Sequence, residues 1–445
     1  MKHILLLGAG RSSVYLIDFL TEQAPSRNWQ ITIADLQTQH LQNRLNHISF
    51  ISLIDIDIHN QEQLTNQVAQ ADLVISLLPA AFHLVVAQTC LELGKHFLTA
   101  SYVTPEINAL HEAARKKNLL FLMEAGLDPG IDHMSALAAI TKIRKQGGEL
   151  QSFKSYTGGL VAPESDSNLW HYKISWNPRN VVLAGHGTAK FLQNNLPKYI
   201  PYPQLFRRTE KIEVLGLGEL EGYANRDSLS YRKAYGLESI GTLIRGTLRW
   251  PGFCSAWLQL IKLGLTDDSY TVLQSGKTTY AQWLESYLPA LSENIPLKAR
   301  LADYLELPES SDEINAIRFL GLLEEEVIGL ENATPAQVLE NRLIQKLPLQ
   351  PEDKDLVVMQ HEFEYRLGQE HRRLKSALVV KGQDATYTAM AKTVGLPLGL
   401  AAELILQNKL SLTGVQIPTQ PEIYEPILAG LEKLGVTFIE QEEIL

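Results

Sequence analysis

The sequence predicts an α/β fold with a doubly wound parallel sheet at the start of the chain, followed by a mixed α/β domain with a small inserted all-α domain. Three observations lead to this prediction. Apolar runs alternate with helical patterns over residues 1–126, the first run ends in a glycine-rich turn, and after residue 126 short strands, glycine turns and aromatic residues dominate. We therefore expect a first domain at 1–126, a second formed by 127–277 and 349–445, and a helical insertion at 278–348.

The first strand and helix have the pattern of a phosphate-binding turn. The run "HILLLGAG" is typical of a parallel strand that is buried on both faces, and apolar residues recur at helical spacing in the segment after it. Gly8 would permit the tight turn, and Gly10 would let the backbone approach a pyrophosphate at the helix start. Ser13 stands where this motif usually has a third glycine or an alanine. The alternative is a tight turn between strand and helix that binds no ligand.

The second strand, "WQITIAD", ends in Asp35, about 25 residues after the glycines. An acid at this position accepts hydrogen bonds from the adenosine ribose of a dinucleotide, whereas the alternative for Asp35 is a helix N-cap. Four more apolar runs complete the six strands of the first domain: "FISLIDIDI", "ADLVISLLPA", "HFLTASYV" and "LLFLMEAG". The sequence therefore predicts a Rossmann-type domain that binds a dinucleotide.

Polar residues follow the fifth and sixth strands directly. Ser101 and Tyr102 end the fifth, and the loop "GLDPGID" follows the sixth. Ligands of doubly wound folds bind at the carboxyl ends of the strands, so we expect this loop to face the nicotinamide end of the cofactor crevice.

The remainder of the chain predicts a substrate domain. A hairpin is expected around Gly216 and Gly218, another at "DLVVMQHEFEYRL" and "RLKSALVVKG", and helices through the insertion. The closing segment has a helix, a strand and a helix, and it could pack back on the first domain. Loops near Arg226, Arg245 and Arg249 combine arginine with glycine and threonine, which favours hydride transfer on a small polyanionic molecule. For any single arginine, a surface ion pair is the alternative.

The composition excludes several classes of protein. A net charge of -10 argues against a nucleic-acid partner, and two cysteines, Cys90 and Cys254, form neither a disulfide framework nor a metal motif. The apolar start is too short for a signal, and we expect no run to reach the roughly 18 apolar residues of a membrane span. We expect a cytoplasmic protein with no membrane association. His133 has no second ligand at a suitable spacing, so no metal is predicted.

Six ordered motifs carry a resemblance to a known family. They are "TASYV", "GLDPGIDHM", "GGLVAPESDSN", "YKISWNPRNVVLAG", "EGYANRDS" and "RGTLRWPGF". With them, essentially the whole chain resembles the glutamate-forming saccharopine dehydrogenases, also called saccharopine reductases. This resemblance implies a homodimeric enzyme of lysine metabolism that reversibly oxidises saccharopine to 2-aminoadipate 6-semialdehyde and glutamate with NAD or NADP.

The resemblance also implies roles for individual residues. The cofactor would be bound by Gly8, Gly10, Arg11, Ser12, Thr99, Ala100, Leu127 and Pro129, in addition to Asp35, which is predicted from its position after the second strand. The substrate would be bound by Ser101, Tyr102, Asp128, Arg226, Gly246 and Thr247.

Two residues depart from the family pattern. Thr157 stands where family members often have a cysteine, a candidate proton-transfer group, and a threonine cannot act as a thiol acid. Asp35 stands where fungal relatives that use NADP have a basic or neutral residue. A carboxylate there would repel a 2′-phosphate, so this residue favours NAD although the family favours NADP.

The reaction requires a general base, because the amine proton must leave and water must then add to the imine. Asp128 is the first candidate for this base and Tyr102 the second. Glu124 and Asp132 have the alternative of helix caps, and His133 that of a packing residue.

Two rival functions remain open. A reductive condensation like that of carboxynorspermidine synthase would use a cationic substrate, and the arginine loops argue against it. A catalytically dead regulator that binds NAD(P) is the other, and Thr157 keeps it open. The sequence leaves the direction, lysine synthesis or degradation, undecided.

Overall fold

The computed structural model describes residues 1–290 and 295–445. In this part of the chain the strands are, in order, β1 (Lys2–Leu7), β2 (Trp29–Asp35), β3 (Ile51–Asp55), β4 (Leu73–Ser76), β5 (His96–Thr99), β6 (Leu120–Leu122), β7 (Glu149–Val161), β8 (Ala189–Gln193), β9 (Leu196–Ile200), β10 (Glu210–Val214), β11 (Gly218–Ala224), β12 (Thr242–Arg249), β13 (Asp355–Leu367), β14 (Glu370–Lys381), β15 (Gly414–Gln416) and β16 (Phe438–Ile444).

The α-helices of the same residues are α1 (Val14–Arg27), α2 (Gln39–Leu45), α3 (Gln61–Gln70), α4 (His83–Leu93), α5 (Pro105–Asn108), α6 (His111–Lys116), α7 (Ile131–Lys145), α8 (Pro178–Val182), α9 (Tyr202–Leu205), α10 (Phe253–Lys262), α11 (Tyr280–Glu285), α12 (Leu297–Leu305), α13 (Asp312–Phe319), α14 (Pro335–Lys346), α15 (Ala389–Leu406) and α16 (Pro421–Lys433).

The chain divides into two compact units, which are described separately. Unit 1 consists of 1–149 and 382–438, and unit 2 of 150–381 and 439–445. Unit 1 therefore extends beyond residue 126, because α7 belongs to it and packs against α16 of the closing segment, where Thr141 and Tyr424 hydroxyls lie 3.1 Å apart. The predicted division into three domains at 126, 278 and 348 stays a prediction.

Unit 1 contains the predicted doubly wound sheet. In the described residues its strand order is β15-β6-β5-β4-β1-β2-β3, and the neighbouring strands whose register is resolved run parallel. The side chains of Ile4 to Leu7 are fully buried, as a strand covered on both faces requires. All six predicted strands are present. The seventh, β15, comes from the closing segment and pairs with β6.

Helix α15 closes unit 1 by packing on α1. A Cβ atom on Gly395 would lie 2.8 Å from the backbone nitrogen of Leu16, and one on Gly399 would lie 2.5 Å from the ring of Phe19. By length and composition alone α15 could cross a membrane, although Lys392 and Glu403 interrupt its apolar run. Its apolar window is 78% buried inside the fold, which is how a core helix lies.

Unit 2 is built on a mixed sheet. Among the described residues it has nine strands, in the order β10-β11-β12-β7-β13-β14-β16, with β8 pairing with β12 and β9 pairing with β8. The two predicted hairpins are β10–β11 and β13–β14. The described residues of the helical stretch, 278–290 and 295–348, have no separate core, because those that are buried share one apolar cluster with the sheet. The indole of Trp170, for example, donates to the carbonyl of Ala316 in α13.

Candidate active site

The glycine turn after β1 has the shape of a phosphate-binding turn. Gly8 has φ +96°, and a Cβ atom there would lie 2.9 Å from the carbonyl carbon of Leu77, so this position accepts only glycine without strain. A Cβ atom on Gly10 would meet nothing within 4 Å, which leaves space beside the backbone. The hydroxyl of Ser13 is buried and donates to the carbonyl of Gly10 (2.8 Å). Ser13 therefore holds the turn in the place of the usual third glycine.

Helix α1 begins directly after this turn, with Arg11 and Ser12 leading into it. Its first turn has no acidic residue and its N-cap has no side-chain hydrogen bond. The partial positive charge at the helix start is therefore not balanced by a carboxylate of the helix itself. The open space at Gly10 and this helix start fit the pyrophosphate of a dinucleotide.

Asp35 ends β2 beside the turn. Its carboxylate accepts the backbone N–H of Ala9 (2.5 Å). The carbonyl oxygen of Ala9 lies 3.2 Å from Nε2 of His40. The N-cap of α2 is Thr38, so Asp35 is not a helix cap. One oxygen of Asp35 thus fixes the glycine turn at the position from which an acid contacts the adenosine ribose.

The carboxyl ends of β4 and β5 carry a buried polar chain. Nδ1 of His83 lies 3.0 Å from the hydroxyl oxygen of Ser76, and its Nε2 lies 2.7 Å from that of Ser101. The Thr99 hydroxyl donates to the carbonyl of Ser76 (2.8 Å) and accepts the N–H of Ser101 (3.3 Å). Burial lowers the pKa of His83 to about 4, so its ring is neutral at pH 7.

The loop after β6 is a tight, interlocked turn. The N–H of Gly126 donates to the carbonyl of Pro129 (3.0 Å), and a Cβ atom on Gly130, where φ is +148°, would lie 2.1 Å from the carbonyl oxygen of Gly126. A Cβ atom on Gly126 would in turn lie 2.7 Å from that of Ala100. Leu127 and Pro129 lie in this loop, beside the end of β5.

The two predicted catalytic residues meet in unit 1. The Tyr102 hydroxyl donates to the Oδ1 atom of Asp128 at 3.2 Å, and both side chains are partly exposed. The sequence separates them by a helical segment, but the parallel pairing of β5 and β6 brings the ends of these strands together.

The loop after β6 is held by three buried side chains, those of Glu124, Asp132 and His133. His133 is fully buried, with Nε2 2.8 Å from Glu124 and Nδ1 3.5 Å from Asp132. Glu124 also accepts the N–H of Val103 (3.0 Å), and Asp132 accepts that of Gly130 (2.6 Å). Asp132 lies in the first turn of α7 and binds the N–H of its N-cap residue Gly130, whereas Glu124 joins the loop to the end of β5. No group of three or more potential metal ligands occurs in residues 1–290 and 295–445.

The predicted substrate residues of unit 2 lie around the end of β11 and along β12. Arg226 has φ +47°, and its carbonyl accepts the N–H of Lys190 (2.8 Å). Asp227 next to it caps the following turn by accepting the N–H of Leu229 (2.9 Å). The guanidinium of Arg245 lies over the ring of Tyr231, 4.5 Å from the ring centre. These contacts fix the backbone from which Arg226 projects.

Gly246 and Thr247 have different surroundings on β12. A Cβ atom on Gly246 would lie 2.4 Å from the ring of Tyr156, so packing alone requires a glycine there. Thr247 is level with Thr157 of β7 in the parallel register, which places these side chains on one face of the sheet. Arg249, on the same face, is buried between the rings of Tyr172 and Phe253, and this makes it a structural residue.

The structure adds residues that the sequence prediction missed. His83 and Ser76 were not among the candidates, although a histidine seven residues after a strand-ending serine is visible in "SLLPAAFH". The spacing alone did not reveal that a short helical turn returns the ring to the strand end. Tyr156 was missed because nothing in the sequence shows which aromatic ring covers a glycine.

Two family models match the chain. The saccharopine dehydrogenase NADP binding domain matches residues 4–122, and the saccharopine dehydrogenase C-terminal domain matches residues 126–436.

Known proteins resemble the chain over its whole length. Alpha-aminoadipic semialdehyde synthase from Rattus norvegicus, a mitochondrial protein, is 35% identical over 100% of the chain and 48% of its own length. The chain thus spans about half the length of this relative. Saccharopine dehydrogenase [NADP(+), L-glutamate-forming] from Schizosaccharomyces pombe is 30% identical over 100% of the chain and 99% of its own length. The solved structure of apo saccharopine dehydrogenase (L-Glu forming) from Saccharomyces cerevisiae matches with a TM-score of 0.88 at 29% identity, covering 100% of both chains.

Proposed function

The chain belongs to the saccharopine dehydrogenase family, and from this premise we propose that it catalyses the NAD(P)-dependent, reversible oxidation of saccharopine to 2-aminoadipate 6-semialdehyde and glutamate. The observation that carries the proposal is the hydrogen bond between Tyr102 and Asp128 at the carboxyl edge of a doubly wound sheet. That edge is where folds of this class bind the reacting end of a dinucleotide.

Oxidation of a secondary amine requires a hydride acceptor, which the bound nicotinamide supplies. The protein must accept the amine proton and then activate water for addition to the imine. Asp128 is the proposed base, because its carboxylate is partly exposed and oriented by the Tyr102 hydroxyl (3.2 Å). Glu124, Asp132 and His133 hold the loop that bears Asp128, so its position depends on buried contacts and not on a mobile turn.

Carboxylate binding is assigned to Arg226, Gly246 and Thr247, and substrate contact in unit 1 to Ser101 and Tyr102. An arginine offers the paired donors that a carboxylate accepts, and saccharopine carries three carboxylates. Gly246 would act through its backbone, since the Tyr156 ring leaves no room for a side chain.

The cofactor is proposed to be NADP or NAD. The family model is that of an NADP binding domain and the fungal relative is an NADP(+) enzyme, and both favour NADP. Asp35 predicts the opposite preference, for NAD. The preference predicted from Asp35 stays a prediction. Binding is assigned to the glycine turn (Gly8, Gly10, Arg11, Ser12), to Thr99 and Ala100, and to Leu127 and Pro129. A homodimer and a cytoplasmic location are part of the proposal, with mitochondrial relatives as the alternative for the location.

A turnover assay tests this function. Purified protein with saccharopine and each cofactor should reduce the dinucleotide and release glutamate. Asp128→Asn should lower kcat about 100-fold or more with little change in KM, because it keeps the shape and removes the base. Asp72→Asn is the control and should leave kcat unchanged. The Asp72 carboxylate lies at the amino ends of the strands, where it binds Lys2 and the backbone N–H of His3.

Three outcomes would change the proposal. No turnover of saccharopine with either cofactor would favour the regulator that binds NAD(P) without catalysis. A raised KM with normal kcat in Asp128→Asn would make Asp128 a binding residue and would move the base to Tyr102 or a bound water. Condensation of a cationic polyamine in preference to saccharopine would favour the carboxynorspermidine synthase alternative.

A further inference from the structure

A polar chain, Ser76–His83–Ser101, lies at the ends of β4 and β5, and two of its members, Ser76 and His83, have no role in the chemistry described so far. The ring of His83 links the two serines: its Nδ1 lies 3.0 Å from the Ser76 hydroxyl oxygen, and its Nε2 lies 2.7 Å from that of Ser101. Ser76 and His83 are buried, whereas Ser101 is partly exposed. The chain therefore connects the interior of unit 1 to the strand end that carries a predicted substrate residue.

The protonation of this ring follows from its surroundings. Because burial lowers its pKa to about 4, His83 is neutral at pH 7 and has one N–H donor and one acceptor nitrogen. Two arrangements are possible. Either Nδ1 donates to Ser76 and Nε2 accepts from Ser101, or Nδ1 accepts from Ser76 and Nε2 donates to Ser101.

The hydrogen bonding of the buried Ser76 hydroxyl decides between these arrangements. Its side chain is fully buried, and within the described residues its hydroxyl has His83 Nδ1 as its hydrogen-bond partner. If Nδ1 carried the proton, the Ser76 O–H would be a buried donor with no acceptor, which is costly. If Nδ1 accepts, that donor is satisfied, and the ring proton is on Nε2.

We propose that His83 is a positioning residue that donates from Nε2 to the Ser101 oxygen, so that Ser101 keeps its own hydroxyl proton to donate to a carboxylate oxygen of the substrate. The identity of that substrate rests on the proposed function. Thr99 fixes the backbone at both serines, because its hydroxyl accepts the N–H of Ser101 and donates to the carbonyl of Ser76. A donor is the group that a carboxylate requires, since an ionised carboxylate only accepts hydrogen bonds.

The position of the ring proton can be measured without turnover. Long-range ¹H–¹⁵N spectra of the full-length ¹⁵N-labelled protein at pH 7 report which nitrogen of each histidine is protonated. The His83 signals are assigned by their loss in His83→Gln. We expect a proton on Nε2 and none on Nδ1. A proton on Nδ1, or on both nitrogens, would overturn the arrangement.

Kinetics test the positioning role. Ser101→Ala should raise KM for saccharopine about 10-fold, with a smaller change in kcat, because it removes the charge-assisted hydrogen bond to the substrate carboxylate. His83→Leu should have a similar effect, because it removes the donor that leaves the Ser101 proton free for that bond. The double variant should be no worse than either single variant, since both act on the same contact. His83→Gln places an amide N–H near the former Nε2 position and should recover most of the loss.

His96→Gln is the matched control. His96 lies at the opposite end of β5, where its Nδ1 accepts the N–H of Leu120 (3.0 Å), and we expect unchanged kinetics. Circular dichroism and dinucleotide binding confirm that each variant folds. Additive effects of Ser101→Ala and His83→Leu, or unchanged KM in both, would overturn the proposal. A wild-type chain without saccharopine turnover would overturn the proposed function and the substrate assigned to Ser101, whereas the spectrum still decides the tautomer.

Discussion

Asp35 has two tasks that a single substitution can separate. One oxygen holds the glycine turn through Ala9. The second task is a proposal: the charge of the carboxylate acts on the 2′ position of the adenosine ribose of the cofactor. Asp35→Asn keeps an oxygen for Ala9 and removes the charge. We predict that the ratio of kcat/KM for NADP to that for NAD rises about 10-fold, because a repulsion of order 1 kcal/mol or more disappears.

The control for this prediction is Asp57→Asn. Asp57 is an exposed acid just after β3, at the same edge of the sheet, and its substitution should leave the ratio within about twofold. An unchanged ratio in Asp35→Asn would show that the carboxylate does not face the 2′ position, and its role would then be limited to the turn.

His83 makes the stability of unit 1 depend on pH. Its folded pKa of about 4 lies below the ordinary value of 6.5, so between these pH values the unfolded chain binds a proton that the folded chain does not. The stability is therefore present above pH 6.5 and is lost as the pH falls towards 4. From pH 7 to pH 5, this ring alone should lower the free energy of unfolding by about 2 kcal/mol.

Urea unfolding at both pH values checks this expectation. His83→Gln has no proton to gain at this position, so its loss of stability between pH 7 and pH 5 should be smaller than that of the wild type by about 2 kcal/mol. Equal losses in the two proteins would mean that the folded ring is protonated at pH 5.

For individual residues, the sequence predicted those that stand directly after a strand and missed those whose role depends on a partner distant in sequence. Asp128 and Tyr102 stood out because they follow strand ends, and the structure joins them. His83 did not stand out, because its function requires two serines that only the fold brings to it. The roles of Arg226, Gly246 and Thr247 stay predictions.

At the scale of elements, the contact between α15 and α1 depends on glycine. A Cβ atom on Gly395 would lie 2.8 Å from a backbone nitrogen of α1, and a backbone cannot move aside cheaply. We predict that Gly395→Ala destabilises unit 1 by about 1–3 kcal/mol, although alanine favours a helix by about 1 kcal/mol. Urea unfolding measures the difference.

Gly430 in α16 is the matched control. A Cβ atom there would lie 2.6 Å from the end of the Leu400 side chain, which can rotate away, so Gly430→Ala should cost less than Gly395→Ala or be neutral. Equal costs would show that side-chain crowding and not the backbone contact decides the effect.

The strands of the first domain were predictable because each is a short apolar run that alternates with a helical pattern. The pairing of β15 with β6 was not predictable, because the three residues Gly414–Gln416 carry little pattern of their own. The same holds for α15, whose apolar composition shows burial but does not show which surface covers it.

At the scale of the whole molecule, unit 2 has one core for its sheet and its helical stretch. We predict that Asp303→Ala, Glu309→Ala and Arg318→Ala leave kcat within a few fold, because these side chains are exposed on that stretch. Trp283→Ala should instead destabilise unit 2 by about 3–5 kcal/mol, since the indole is buried in the shared core.

Hydrogen exchange distinguishes a shared core from an independent helical domain. In Trp283→Ala, amides of β12 and β13 should lose protection together with those of α11 and α14. Loss of protection confined to the helices would support the predicted boundaries at 278 and 348. Abolished turnover in a folded variant of Asp303, Glu309 or Arg318 would give the stretch a chemical role.

The return of residues 382–438 to unit 1 has a consequence for how the protein is made. When residue 149 leaves the ribosome, the nascent sheet lacks β15 and the surface of α1 lacks α15. Residues 150–381 are translated next, which takes roughly 10–50 s at about 5–20 residues per second. During that interval the first half of the dinucleotide domain exposes an apolar helix face and an unpaired strand edge, both of which attract other chains. Unit 2, in contrast, has nearly all its residues in one continuous segment and can fold while the cofactor domain still waits for its last strand.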